Sequence, residues 1–188
     1  MQDFPVIPFS SVEAMQAWMQ DNHATTNGIW LKMAKKDSGI PTVTYDQALD
    51  TALCFGWIDG QRKSFDSDYF IQKFTPRRPR SLWSLRNVRK VAALTAAGLM
   101  RPAGLAQVKA AQQDGRWERA YGNYDEMPVP ADFLDALKKN PTAQATFDGL
   151  KKLDRYMIAF RLTTASKPGT RQRRFIKMLS MLEKGEFR

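Results

Sequence analysis

The sequence predicts an α+β fold, with a small antiparallel sheet packed with helices in the N-terminal part, followed by an all-helical C-terminal module. One contrast and a linker carry that reading. Segments with strand periodicity occur only before Pro76, whereas every apolar pattern after Pro130 has helical period. Between them, Tyr121–Pro130 combines Gly, Asn, Asp and Pro as linkers do, dividing the chain into residues 1–127 and 128–188.

Ser10 is expected to cap a first helix, with Glu13 reaching back and Ala14, Met15, Trp18 and Met19 at helical spacing. Asn27-Gly28 interrupts it, and Ile29, Leu31 and Met33 then alternate as in a half-buried strand. Thr44 and Gln47 form a capping pair for a second helix, whose stripe of Tyr45, Ala48, Leu49, Ala52 and Leu53 stops at Gly56. Trp57–Gln61 reads as a short strand entering a tight turn at Asp59-Gly60, and Tyr69–Phe74 as an aromatic-rich strand. Pro76 and Pro79 bracket an irregular loop. Ser84 is expected to cap a helix reaching Ala97, and Pro102 to begin another reaching Gln113. The C-terminal part reads as four helices, over 130–139, 141–150 and 153–164 and after Pro168. In the last, Phe175, Met178, Leu179 and Leu182 make an apolar face opposite Arg171, Arg174 and Lys177.

With 188 residues, 43% hydrophobic and 26% charged, the chain can fill a core and is not a disordered polymer. Its mean hydropathy of −0.47 and lack of a long apolar run predict no membrane span. The start, Met1-Gln2-Asp3-Phe4-Pro5, has no secretory pattern, which predicts a cytoplasmic location. A single Cys54 and a single His23 rule out an intrachain disulfide and multi-His or multi-Cys metal sites. Asp66 and Asp68 lack further ligands, and no glycine-rich phosphate loop precedes a Lys-Ser/Thr pair, so neither metal nor cofactor is expected.

The net charge of +10 is unevenly placed: −4 over residues 1–60, +8 over 61–101, −2 over 102–150 and +8 over 151–188. Positive surfaces concentrate anions, so phosphate-bearing ligands, nucleic acid and acidic surfaces are the candidate partners. Trp57–Asn87 is the richest segment. Arg77, Arg78 and Arg80 lie in a proline-restrained loop that leads to the expected helix start at Ser84. Arginine forks and backbone N–H groups at a helix start both suit phosphate or carboxylate. Ser81 and Ser84 can add hydroxyl donors, and Arg62 and Asn87 lie on the same stretch. Trp57 and Trp83 are either stacking walls or core anchors. Asp59 is either a base or arginine partner, or the turn residue of Asp-Gly. Cys54 is expected to be a buried small hydrophobe, and His23 a capping or exposed residue.

The run Cys54-Phe55-Gly56-Trp57-Ile58-Asp59-Gly60 resembles the YdeI/OmpD-associated, or bacteriocin-protection, family. So do Phe74–Asn87, Gly98–Gly104, Asp114–Trp117 and the C-terminal Ala165–Arg174, where Gly169 stands in place of an expected acidic residue. The resemblance implies a C-terminal helical module and a stress- or peptide-resistance role. It implies no catalytic residues. Ligand-site expectations therefore rest on the residues themselves: Trp57, Asp59, Arg62, Arg77, Arg78, Ser81, Trp83, Ser84 and Asn87, for an anionic small molecule. Nucleic-acid binding, from the pI of 9.9 and the interleaved basic and aromatic residues, is the alternative, and a resistance-linked interaction protein is the third. Enzymatic activity and oligomeric state stay open.

Overall fold

The computed structural model describes residues 4–36 and 38–187; Met1–Asp3, part of the N-terminal start read above, lie outside them. The chain divides into two compact units: residues 1–81 with 87–117, and residues 82–86 with 118–188.

The first unit is built on a four-stranded sheet of β1 (Val6–Pro8), β2 (Ile29–Ala34), β3 (Trp57–Ser64) and β4 (Tyr69–Pro76), in the order β1-β2-β4-β3. β2, β4 and β3 are antiparallel neighbours, whereas β1 pairs parallel with β2. That parallel edge was not predicted, because Pro5 and Pro8 disfavour strand and only three residues pair. Its partner is reached through α1 (Val12–Asn22), capped by Ser11 rather than Ser10: the Ser11 hydroxyl accepts from the Ala14 N–H at 3.2 Å. α2 (Tyr45–Cys54) has the expected capping box of Thr44 and Gln47. Ile29, Leu31, Met33, Phe70 and Phe74 point to one side of the sheet and join Met15, Met19, Ala48 and Ala52 in the core.

β3 corrects the expected turn at Asp59-Gly60. The strand passes through both residues, with a register shift between Asp59 and Arg62, and the reversal comes after Ser64. There the Asp66 carboxylate accepts the N–H groups of Asp68 (2.9 Å) and Tyr69 (2.8 Å), so the turn chemistry belongs to Asp66. α3 (Leu85–Ala96) and α4 (Pro102–Gln113) follow, and Lys90 of α3 ties back to Asp50 of α2 at 2.8 Å.

The second unit contains α5 (Ala131–Lys138), α6 (Pro141–Asp148), α7 (Lys152–Thr163) and α8 (Pro168–Glu183). Asn140 caps α6 through the Ala143 N–H at 3.1 Å, with Pro141 at its first position. Phe133, Leu137, Ala143, Phe147, Ile158, Leu162, Met178 and Leu182 form a separate core. The predicted apolar face of α8 is that core's contribution. No helix among the described residues is long and apolar enough to cross a membrane.

Candidate functional site

Two of the motifs singled out in the sequence meet inside the first unit. Gly56, at φ +76°, turns the chain from α2 into β3, and a Cβ there would lie 2.9 Å from the Ala103 carbonyl oxygen of α4. Gly104 is more tightly placed still, since its Cβ would approach the Cys54 carbonyl oxygen to 2.3 Å. The Arg101 N–H donates to that same Cys54 oxygen at 3.1 Å, so the start of α4 is clamped onto the end of α2. Across the sheet, Trp57 is in register with Pro76, and the Arg77 N–H donates to the Gly56 carbonyl at 3.0 Å. Trp57 Nε1 donates to the His23 carbonyl at 3.1 Å, and the His23 ring lies 5.2 Å from that of Phe55.

These contacts frame a cavity of about 410 Å³ whose walls include His23, Thr26, Asn27, Trp57, Arg77 and Gln107. None of its lining residues is acidic. Arg77 is only 5% exposed. A guanidinium stays charged at any accessible pH, so this wall carries a fixed positive charge. Asn27 and Gln107 add amide groups. His23 Nδ1 lies 2.8 Å from the Met19 carbonyl oxygen, which can only accept, so Nδ1 carries the hydrogen. Its Nε2 is then an acceptor in the neutral ring and a donor in the cation. Phe55 and Trp57 supply apolar wall for an organic portion.

Only two of the predicted ligand residues, Trp57 and Arg77, line this cavity. Trp57 is also a core anchor at 1% exposure. Asp59 is half-buried and accepts the Tyr45 hydroxyl at 2.8 Å, which gives it a partner instead of a turn. Arg62 is exposed, with its guanidinium 3.8 Å above the Phe70 ring centre. Arg78 and Arg80 are exposed as well. The Arg78 N–H donates to the Ser81 hydroxyl at 3.1 Å and the Ser81 N–H to the Arg78 carbonyl at 3.0 Å, closing a turn in which Arg80 takes φ +73°. Ser81 is thereby a turn residue, and its carbonyl accepts from Arg116 at 2.8 Å. Asn87 is buried in the first turn of α3.

Trp83 and Ser84 belong to the second unit. Trp83 is 2% exposed, and its carbonyl accepts the Tyr121 N–H at 2.9 Å. Ser84 makes a parallel bridge with Tyr121, and the Leu85 N–H donates to the Tyr121 carbonyl at 2.8 Å. The helix start expected to present N–H groups to an anion thus has its Leu85 N–H in a strand-like pairing.

His23, Thr26, Asn27 and Gln107 were missed as site residues. His23 does serve as the C-cap of α1, as expected, but nothing in its spacing connects it with Arg77. The one available signal was local, a His-Ala-Thr-Thr-Asn-Gly run after a helix, whose polar side chains leave the helical pattern together. Cys54 is buried as predicted, and burial pushes its thiol up to about 11.

Two family models match separate stretches of the chain. Residues 126–185 match the family model described as Bacteriocin-protection, YdeI or OmpD-Associated, which covers the Ala165–Arg174 motif of the expected resemblance but none of its N-terminal runs, Cys54–Gly60, Phe74–Asn87, Gly98–Gly104 and Asp114–Trp117. Residues 7–107, which hold the cavity and both motifs beside it, match a model described as a domain of unknown function, DUF8412. No curated protein and no solved structure matches the chain. Over half its length the protein belongs to the DUF8412 family, and it carries a YdeI/OmpD-associated, bacteriocin-protection domain over residues 126–185.

Proposed function

We propose that the protein binds a small phosphate- or carboxylate-bearing molecule in the cavity around Arg77, and that it does so in the cytoplasm. In this reading residues 1–127 are the ligand-binding part and residues 128–188 a separate helical module. The observation that carries it is Arg77 itself: a nearly buried guanidinium on the wall of a cavity whose lining includes amides, an imidazole and no carboxylate. Trp57 and Phe55 cover the organic part of the ligand, while Asn27 and Gln107 fix its orientation. A lone buried thiol in place of any disulfide fits the cytoplasmic setting.

A thermal-shift screen of inorganic phosphate, nucleotides, phosphorylated metabolites and small dicarboxylates tests the proposal. A ligand at 100 times its Kd is expected to add about 2.7 kcal/mol of stability. Arg77→Ala abolishes that gain, and Gln107→Ala, at a half-buried position, reduces it without threatening the fold. If no anion raises the melting temperature and both variants behave as wild type, the cavity is not an anion receptor.

A further inference from the structure

The side of the sheet opposite the first core has a chemistry of its own. β2 alternates buried and half-buried residues, so Trp30, Lys32 and Ala34 share the outer face. Register places Lys73 of β4 directly beside Trp30, and Ile71 beside both Lys32 and Lys63. Rings and ammonium groups interleave across this face. Lys63 lies 4.8 Å and Lys73 5.9 Å from the Trp30 ring centre, Lys73 also 4.5 Å from Phe4, and Lys32 3.9 Å from Tyr69 and 4.5 Å from Phe65.

Lys63 and Lys73 make no ion pair with any described carboxylate. Lys32 has one, a long 3.9 Å contact to Asp66, whose other oxygen is held by two backbone N–H groups of the turn. Asp59, an acidic residue of β3, is turned to Tyr45 of α2. Among the described residues, the outer face therefore carries three lysines, one of them loosely paired, on a platform of aromatic rings.

We infer that this sheet face binds single-stranded nucleic acid, with bases stacking on Trp30 and Tyr69 and phosphates meeting Lys32, Lys63 and Lys73. Every base has a π-face, so stacking needs no particular sequence, but it does need bases that are not already paired in a duplex. An exposed ammonium-ring contact is the weaker interaction, so the lysines can swing from ring to phosphate as a base takes their place. Charge complementarity favours this occupant, because a polyanion satisfies three cations at once. The inference is independent of the cavity at Arg77, which lies elsewhere in the unit.

Fluorescence anisotropy with labelled 20-mers of uridine and thymidine, a 20-base-pair duplex as competitor, and anionic phosphatidylglycerol vesicles in parallel tests it on the full chain. The single strands are expected to bind, losing about twentyfold in affinity between 50 and 200 mM salt, as about three phosphate contacts require. Trp30→Ala lowers affinity by about tenfold. Because Trp30 also helps to order the sheet, the double variant Lys63→Gln/Lys73→Gln is the firmer test. It should flatten the salt dependence to about a third while keeping its thermal response to anions at the cavity. Arg173→Gln/Lys177→Gln on α8 should bind as wild type. Absence of binding, equal binding of the duplex, binding of vesicles alone, or a double lysine variant indistinguishable from wild type would each overturn the inference.

Discussion

The two basic stretches of this chain carry the same net charge and put it to different uses. In the helical unit, four positive side chains are tied into the fold. Arg171 grips Asp132 with two bonds of 2.7 and 2.8 Å, joining α8 to α5. Arg174 donates to the Arg161 carbonyl at the end of α7, Arg155 donates to that of Asp148, and Lys152 pairs with Asp125. In the α+β unit, Lys63 and Lys73 rest on rings with no described carboxylate partner. Net charge alone therefore says little about available positive potential. What matters is where folding brings the carboxylates: Asp132 meets Arg171 of α8, whereas no described carboxylate pairs with Lys63 or Lys73 of the sheet.

The strongest way to separate the two units is through their cores. Phe133, fully buried in the helical core, is expected to cost about 3–5 kcal/mol on substitution by Ala, measured by urea unfolding followed at 222 nm. Gly104→Ala attacks the other core. Its Cβ would meet backbone oxygens of Cys54 and Leu53 at 2.3 and 2.7 Å, so α2 and α4 must separate at a cost of about 2 kcal/mol. Cys54 supplies a reporter on that side: its raised thiol should label slowly with iodoacetamide in the native protein and faster in Gly104→Ala.

Smaller effects sharpen the contrast in electrostatics. Gly169, in the first turn of α8 with open space around it and no acidic residue nearby in that turn, is expected to gain about 1 kcal/mol from Gly169→Glu, read as a higher melting temperature. Arg171→Ala should cost about 0.2–1 kcal/mol, since both partners are partly exposed. The Arg171 guanidinium holds the Asp132 carboxyl below its ordinary value. The pair's contribution is therefore present above the unfolded carboxylate pKa and is lost as pH falls through the lower folded value. The difference in melting temperature between wild type and Arg171→Ala should begin to shrink below about pH 4, disappear once the folded carboxyl is protonated, and shrink in high salt. A difference that persisted after the carboxyl had been protonated would mean the side chain acts through packing.

Helices were the most legible part of the fold, because their signals are local. Thr44 with Gln47, Asn140 before Pro141, and Pro102 and Pro168 at first positions each mark a start within four residues. Strands were less legible where proline and glycine signals conflict with pairing. β1 forms despite its prolines because Val6, Ile7 and Pro8 lie in register with Trp30, Leu31 and Lys32. β3 runs through Asp59-Gly60 because β4 opposite is long enough to pair on both sides of the register shift. At the candidate site, composition pointed to Trp57 and Arg77 but equally to Arg78, which folding leaves exposed.

Residue chemistry and spacing alone determined most helix starts, the apolar stripes and the concentration of cations beside aromatic residues. These depend on neighbours within one or two turns of chain, where geometry is fixed by the backbone. Tertiary structure decided which arginine faces a cavity, which cations meet carboxylates, and that residues 23–27 and 103–107 join Gly56 and Arg77 around one space. Those outcomes depend on the packing of α4 against α2 and the register of β3 against β4, interactions between segments far apart in the chain that no local pattern encodes.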